Sequence, residues 1–75
     1  HWVATEIVLA SSHKQRALLI KYWIKVAKKC LQLNNFNTLL EITAGLNLIA
    51  VRRLKRSWLG VPSENVIALE ELERI

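Results

Sequence analysis

The sequence predicts an all-α fold of about five helices, and three observations carry that prediction. Apolar residues recur at intervals of three and four along nearly the whole chain, the spacing that gathers side chains on one side of a helix. No stretch alternates apolar and polar residues with the period of a half-buried strand. Helix breakers are few and mostly late: two Gly and one Pro, at positions 45, 60 and 62 of 75.

Each element has its own signal. Val3, Ile7 and Ala10, following Trp2, mark a first helix ending near Ser11. Ser12 with Gln15 three residues later has the form of a capping box and opens a long second helix. On that helix Lys14, Lys21, Lys25, Lys28 and Gln32 form a polar stripe. Ala17, Ile20, Trp23, Ile24, Ala27, Cys30 and Leu31 form the apolar side. Asn34-Asn35 breaks the run, and Asn35 is placed to cap a third helix from Phe36 to Leu46. There Phe36, Leu40, Thr43 and Asn47 share one stripe and Leu39, Ile42 and Leu46 the next, with Thr38, Glu41 and Gly45 on the far side. Two apolar stripes predict burial against more than one neighbour. A fourth helix is expected from about Ala50 to Leu59, burying Val51, Leu54 and Trp58 and stopped by Gly60 and Pro62. Ser63 is expected to cap a last helix carrying Val66, Leu69, Leu72 and Ile75.

Composition limits what such an array can be. Hydrophobic residues make up 52% of the chain, with three Trp, and mean hydropathy is +0.19. A domain this small buries only about 60% of the surface its unfolded chain exposes, so half-apolar composition exceeds what one small core can hide. The expectation is that the chain pairs with something or is part of something larger, and His1 in place of Met favours the second. A contiguous apolar patch should then lie exposed beside the second and third helices. No segment reaches the roughly 20 apolar residues of a membrane span, so no transmembrane segment is expected. One cysteine, Cys30, cannot form an internal disulfide and suits a reducing compartment.

The net charge of +5 is unevenly spread. Between His13 and Arg56 stand ten Lys and Arg against one acid, Glu41; after Ser57 four Glu face Arg74 alone. The basic middle and acidic tail either face each other or form separate solvated surfaces. Groups for covalent chemistry are lacking. His1, His13 and Cys30 have no metal-ligand spacing, Gly45 and Gly60 form no phosphate loop, and Glu41 is an isolated carboxylate. No metal and no cofactor are expected, and a function by binding is.

Three ordered blocks carry a resemblance: Leu33-Asn34-Asn35-Phe36-Asn37-Thr38-Leu39-Leu40-Glu41-Ile42, then Gly45-Leu46-Asn47, then Val51-Arg52-Arg53-Leu54-Lys55-Arg56-Ser57-Trp58. Together with Trp2-Val3 and Arg16-Ala17 upstream, they resemble the catalytic domain of Ras-family guanine-nucleotide exchange factors, the domain of the Son-of-sevenless proteins. The resemblance weakens after Pro62. It implies an all-helical domain, an orthogonal helical array several times longer than 75 residues, with this chain its central part, the N-terminal part and a C-terminal helical hairpin lying outside it. It implies a Ras-family small GTPase, of Ras, Rap or Ral type, as partner, alongside the rest of the parent domain. Exchange would proceed by binding the switch II region and stabilising the nucleotide-free state, and the 75 residues alone would have little activity. It also implies a cytoplasmic protein recruited to membranes through other domains.

Residue by residue, the resemblance places Leu40 in an apolar contact with switch II, Asn47 in a hydrogen bond to it, and Arg52 at a further contact position where some members carry an aromatic residue. It places Trp2, Phe36, Leu54 and Trp58 in the core. Competing readings are a small basic nucleic-acid-binding module, a pseudo-exchange-factor adaptor, and a helix from Ser12 to Leu33 lying on a membrane. The order of the blocks favours exchange and no nucleic acid, because charge alone does not explain that order.

Overall fold

The computed structural model describes residues 2–74 and is all-α, with six helices and no strand among the described residues. They are α1 (Trp2–Leu9), α2 (His13–Gln32), α3 (Phe36–Leu46), α4 (Ile49–Arg52), α5 (Lys55–Leu59) and α6 (Ser63–Glu73). Helix α2, 20 residues and so about 30 Å long, is the spine against which α1, α3, α5 and α6 pack. Its predicted apolar side is the buried one: Ala17, Ile20, Trp23, Ile24, Ala27 and Cys30 are buried and Leu31 half-buried, while Lys14, Lys21, Lys25 and Lys28 are exposed. Val3 and Ile7 of α1, Leu39, Ile42 and Leu46 of α3, Val51 of α4 and Leu69 of α6 complete the core.

Both ends of α2 are fixed by local chemistry. Ser12 is extended (φ −142°, ψ 160°) and its Oγ accepts from the Gln15 amide at 3.2 Å. The return half of the box goes to the neighbour instead: Gln15 Oε1 accepts from the Ser11 amide at 3.3 Å and from the Ser11 hydroxyl. At the other end Asn34 adopts φ 57°, the left-handed conformation that Asn tolerates better than most residues. The Asn35 amide then reaches Cys30 O at 2.8 Å and the Asn34 amide Leu31 O at 3.1 Å, the paired bonds of a Schellman motif. Asn35 at once caps α3, its Oδ1 accepting from the Thr38 amide at 3.4 Å.

Four expectations are corrected. The single helix from Ala50 to Leu59 is two short ones. Leu54 (φ −79°, ψ 63°) makes an inverse γ-turn, closed by the Lys55 amide on Arg53 O at 2.9 Å. The Val51 carbonyl released at the break accepts from the Leu54 amide and from Trp58 Nε1, each at 3.0 Å. Ser63 does not cap α6: the cap position falls on Pro62 and no side chain bonds there. Gly45, expected on the far side of α3, is buried. Trp2 Nε1 donates to Glu41 Oε2 at 3.4 Å, which brings α1 onto that side one turn away. Trp2 and Phe36, core positions by the resemblance, are 52% and 48% exposed, although Trp2 does stand edge-on to Trp23 at 4.9 Å. Leu54 and Trp58 are half-buried, and Ile75 lies outside the described residues.

The radius of gyration, 11.4 Å, equals the roughly 11 Å of a folded chain of this length. Compactness has not hidden the apolar surface. Leu9, Leu18, Tyr22, Leu33, Leu40, Ile49 and Leu59 are each more than half exposed. Several cluster: Val8 and Leu9 line one hollow with Leu48, and Leu18 lines another with Leu59.

At the α5 terminus Gly60 passes so close to α2 that an added Cβ would stand 3.0 Å from Ala17 Cβ. Its φ of −82° is ordinary, so the preference for glycine there is one of space, set by how little Ala17, buried on the spine, can give way. Gly60→Ala is therefore expected to destabilise the fold by about 1–3 kcal/mol, read as a lower midpoint in urea with an unchanged m-value.

Candidate functional site

Of the predicted site residues, Leu40 lies on α3, Asn47 caps it, and Arg52 ends α4. Leu40 is 62% exposed, with no core to fill. One turn later Thr43 is buried and its hydroxyl donates back to Leu39 O at 3.1 Å and Leu40 O at 3.2 Å, which satisfies it inside its own helix. A further turn on, Asn47 ends the helix in a right-handed conformation (φ −94°, ψ −3°), its amide bonded to Thr43 O and Ala44 O. Its side chain repeats the cap: Nδ2 donates to Thr43 O at 2.9 Å.

The Asn47 Oδ1 is not left to solvent. Arg52 Nε donates to it at 3.0 Å and Arg52 Nη2 donates to the same oxygen. The guanidinium carbon sits 5.0 Å from the Trp58 ring centroid, and Nη2 pairs with Glu73 Oε2 at 3.5 Å. Arg52 thus joins the end of α3, the α5 indole and the end of α6. The short α4 makes this possible: the chain turns back after Asn47, so that a residue five positions later faces the cap. The structure brings Asn47 and Arg52 into direct contact. Leu40 stands seven residues earlier on the same side, about 10 Å along the axis, without touching them.

Two members of this cluster were not among the predicted site residues. Trp58 was assigned to the core, and its indole does both jobs: N–H to Val51 O, ring face to Arg52. Glu73 was one of four acids in the tail; the charge asymmetry was its only signal, and Arg52–Glu73 is where basic middle and acidic tail meet.

The surface leaves polar and apolar groups open to solvent. Asn47 has its oxygen engaged and one Nδ2 hydrogen to spare, Arg52 keeps further N–H groups, and Leu40 offers an exposed apolar anchor. Among the described residues no three His, Cys, Asp or Glu side chains converge, and no helix is long and apolar enough to cross a membrane. Cys30 is buried in the core.

The family model of the RasGEF domain matches residues 1–75. Among curated proteins, the chain is 46% identical over 74 residues to a Rap guanine nucleotide exchange factor of Caenorhabditis elegans, covering 99% of this chain and 5% of that protein. It is 42% identical over 73 residues to Ras guanine nucleotide exchange factor M of Dictyostelium discoideum, covering 97% and 8%. It is 43% identical over 68 residues to human Ras-GEF domain-containing family member 1C, covering 91% and 15%. The chain therefore spans only a small part of the length of the relatives it matches.

The cluster around Arg52 has unequal members. Glu73→Gln removes one half-exposed ion pair and is expected to change stability by less than about 1 kcal/mol. Arg52→Ala removes two hydrogen bonds and the indole contact as well, and is expected to cost about 1–2 kcal/mol. Parallel denaturant titrations of the two variants, followed by tryptophan fluorescence, measure the difference.

Proposed function

The chain belongs to the RasGEF domain family, and on that premise we propose that it is the central section of a guanine-nucleotide exchange domain acting on a Ras- or Rap-type GTPase. The observation that carries the reading is the surface of α3. An exposed Leu40 lies in line with an Asn47 whose side chain is fixed by its own helix and by Arg52. These are the positions at which the resemblance places contact with switch II.

In this reading Leu40 enters an apolar pocket of the switch II segment and Asn47 donates its spare Nδ2 hydrogen to an acceptor there. Arg52 contributes to the same surface through the N–H groups it does not spend on Asn47 and Glu73. Exchange then needs no covalent step. A protein that binds the nucleotide-free GTPase more tightly than the loaded one must weaken nucleotide binding by the same factor. The exposed Leu9, Leu33 and Ile49 support the rest of the proposal, that neighbouring segments of a larger domain cover them and supply the element that opens the nucleotide site.

Leu40 is exposed and fills no core, so its substitution separates function from folding, whereas Asn47→Ala also removes the cap bond to Thr43 O and both Arg52 bonds. In the complete RasGEF domain that contains these residues, Leu40→Ala and Asn47→Ala are each expected to slow release of a fluorescent guanine nucleotide by about tenfold or more, with stability nearly unchanged for Leu40→Ala and about 1–2 kcal/mol lower for Asn47→Ala, as for Arg52→Ala. Unaltered release would remove both residues from the contact surface. The isolated 75 residues are expected to accelerate release little or not at all. A pull-down with nucleotide-free and GDP-loaded GTPase distinguishes an exchange factor, which prefers the first, from an adaptor of the same fold, which does not.

A further inference from the structure

Away from the Asn47–Arg52 cluster, the start of α2 and the α4–α5 turn enclose an open hollow of about 490 Å³ whose charged side chains are all basic. Arg16, Arg53, Lys55 and Arg56 line it, with His13 and the hydroxyl-bearing Ser11, Ser12 and Ser57. Among the described residues none of the four cations has an ion-pair partner, whereas Arg52 next to them has one. The Nε of Arg16 is buried without a hydrogen-bond acceptor. Like charges gathered in a concave site repel one another and focus a positive potential, and a buried guanidinium N–H without an acceptor is costly. The composition matches an oxyanion with several acceptor oxygens, a phosphate above all.

A second hollow shares His13 and Arg56 with the first and has a different lining. It is bounded by Lys14 and Lys21 and contains Leu18 and Leu59, which are 67% and 86% exposed. Leu59 is the most exposed large hydrophobic residue among the described residues. No acid lines either hollow. Exposed leucines ringed by Lys and Arg, beside a cationic recess, form the pattern of a surface that dips apolar side chains between lipids while its cations hold the headgroups.

We infer that the face formed by the start of α2 and by α5 docks on an anionic membrane surface, lipid phosphates entering the Arg16–Arg53–Lys55–Arg56 hollow and Leu59 and Leu18 entering the interface. This differs from α2 lying flat on the membrane, for the apolar side of α2 is core; only its N-terminal end takes part. It also differs from recruitment through other domains, because the residues are this chain's own. Charge complementarity selects the occupant: an apolar protein partner would explain the leucines but not four unpaired cations around a recess. The inference stands apart from the exchange reading, since vesicle binding reports one and nucleotide release the other.

The test is sedimentation of the protein with vesicles of neutral phosphatidylcholine, alone or with about one fifth phosphatidylserine or about one twentieth phosphatidylinositol bisphosphate. Binding is expected to both anionic compositions, to fall with added salt, and to be absent with the neutral one. Arg53→Glu with Arg56→Glu should weaken it at least about tenfold, and Leu59→Ser several-fold, with the helical circular dichroism of each variant unchanged. Lys25→Glu with Lys28→Glu, equal in charge but farther along α2, should leave most binding intact. Equal loss in that control would overturn the inference, reducing it to net charge. So would failure to bind anionic vesicles, an unaffected Leu59→Ser variant, binding of soluble inositol phosphate without vesicle binding, or a preference for duplex nucleic acid at the same salt.

Discussion

Everything in this fold depends on one buried stripe. Ala17, Ile20, Trp23, Ile24, Ala27 and Cys30 run along α2, and four of the five other helices pack against that helix. Full burial of Ile20 and Ile24 contributes about 1.5–3 kcal/mol each, and the small Ala17 and Ala27 let neighbours approach. The Gly60–Ala17 contact shows how little clearance remains. A helix of 20 residues holds such a stripe straight only if both ends are stopped cleanly, and Ser12 at one end and left-handed Asn34 at the other do this.

The same stripe leaves the chain short of core. One central helix has one buried side, and 75 residues wrap it once. Helices α1, α3 and α4 therefore keep apolar residues on their outer surfaces, Leu9, Leu40 and Ile49 among them. The compact radius shows that the chain closes around its spine; the exposed leucines show that closure is incomplete. Both follow from the ratio of surface to volume at this size.

The contact surface and the fold share their parts. Asn47 ends α3 and presents a donor, Trp58 caps the freed Val51 carbonyl and supports Arg52, and Arg52 orients Asn47 while tying down α6. Side chains with two partners inside the protein move less than side chains on a loop, and such rigidity would serve the proposed contact with a GTPase. The cationic hollow on the α2–α5 face shows the opposite condition, charge without internal partners.

The sequence alone determined the all-α class, the bounds of α2 and α3, the buried side of α2 and the family. The first three rest on helical periodicity and on capping residues within four positions of what they cap, and such short-range physics is written in order along the chain; the family rests on the order of the residue blocks from Leu33 to Trp58. Leu40 and Asn47 were singled out by that resemblance, and periodicity added only that they share a stripe of one helix. The tertiary structure decided the rest. It split the expected fourth helix at Leu54, because the turn lets Trp58 reach Val51 O across the break. It buried Gly45 because α1 crosses there. It brought Glu73 and Trp58 to Arg52 from 21 and six residues away, and gathered Arg16 with Arg53, Lys55 and Arg56 from opposite halves of the chain. Contacts of that separation follow from how the helices lie on α2, and no local pattern encodes them.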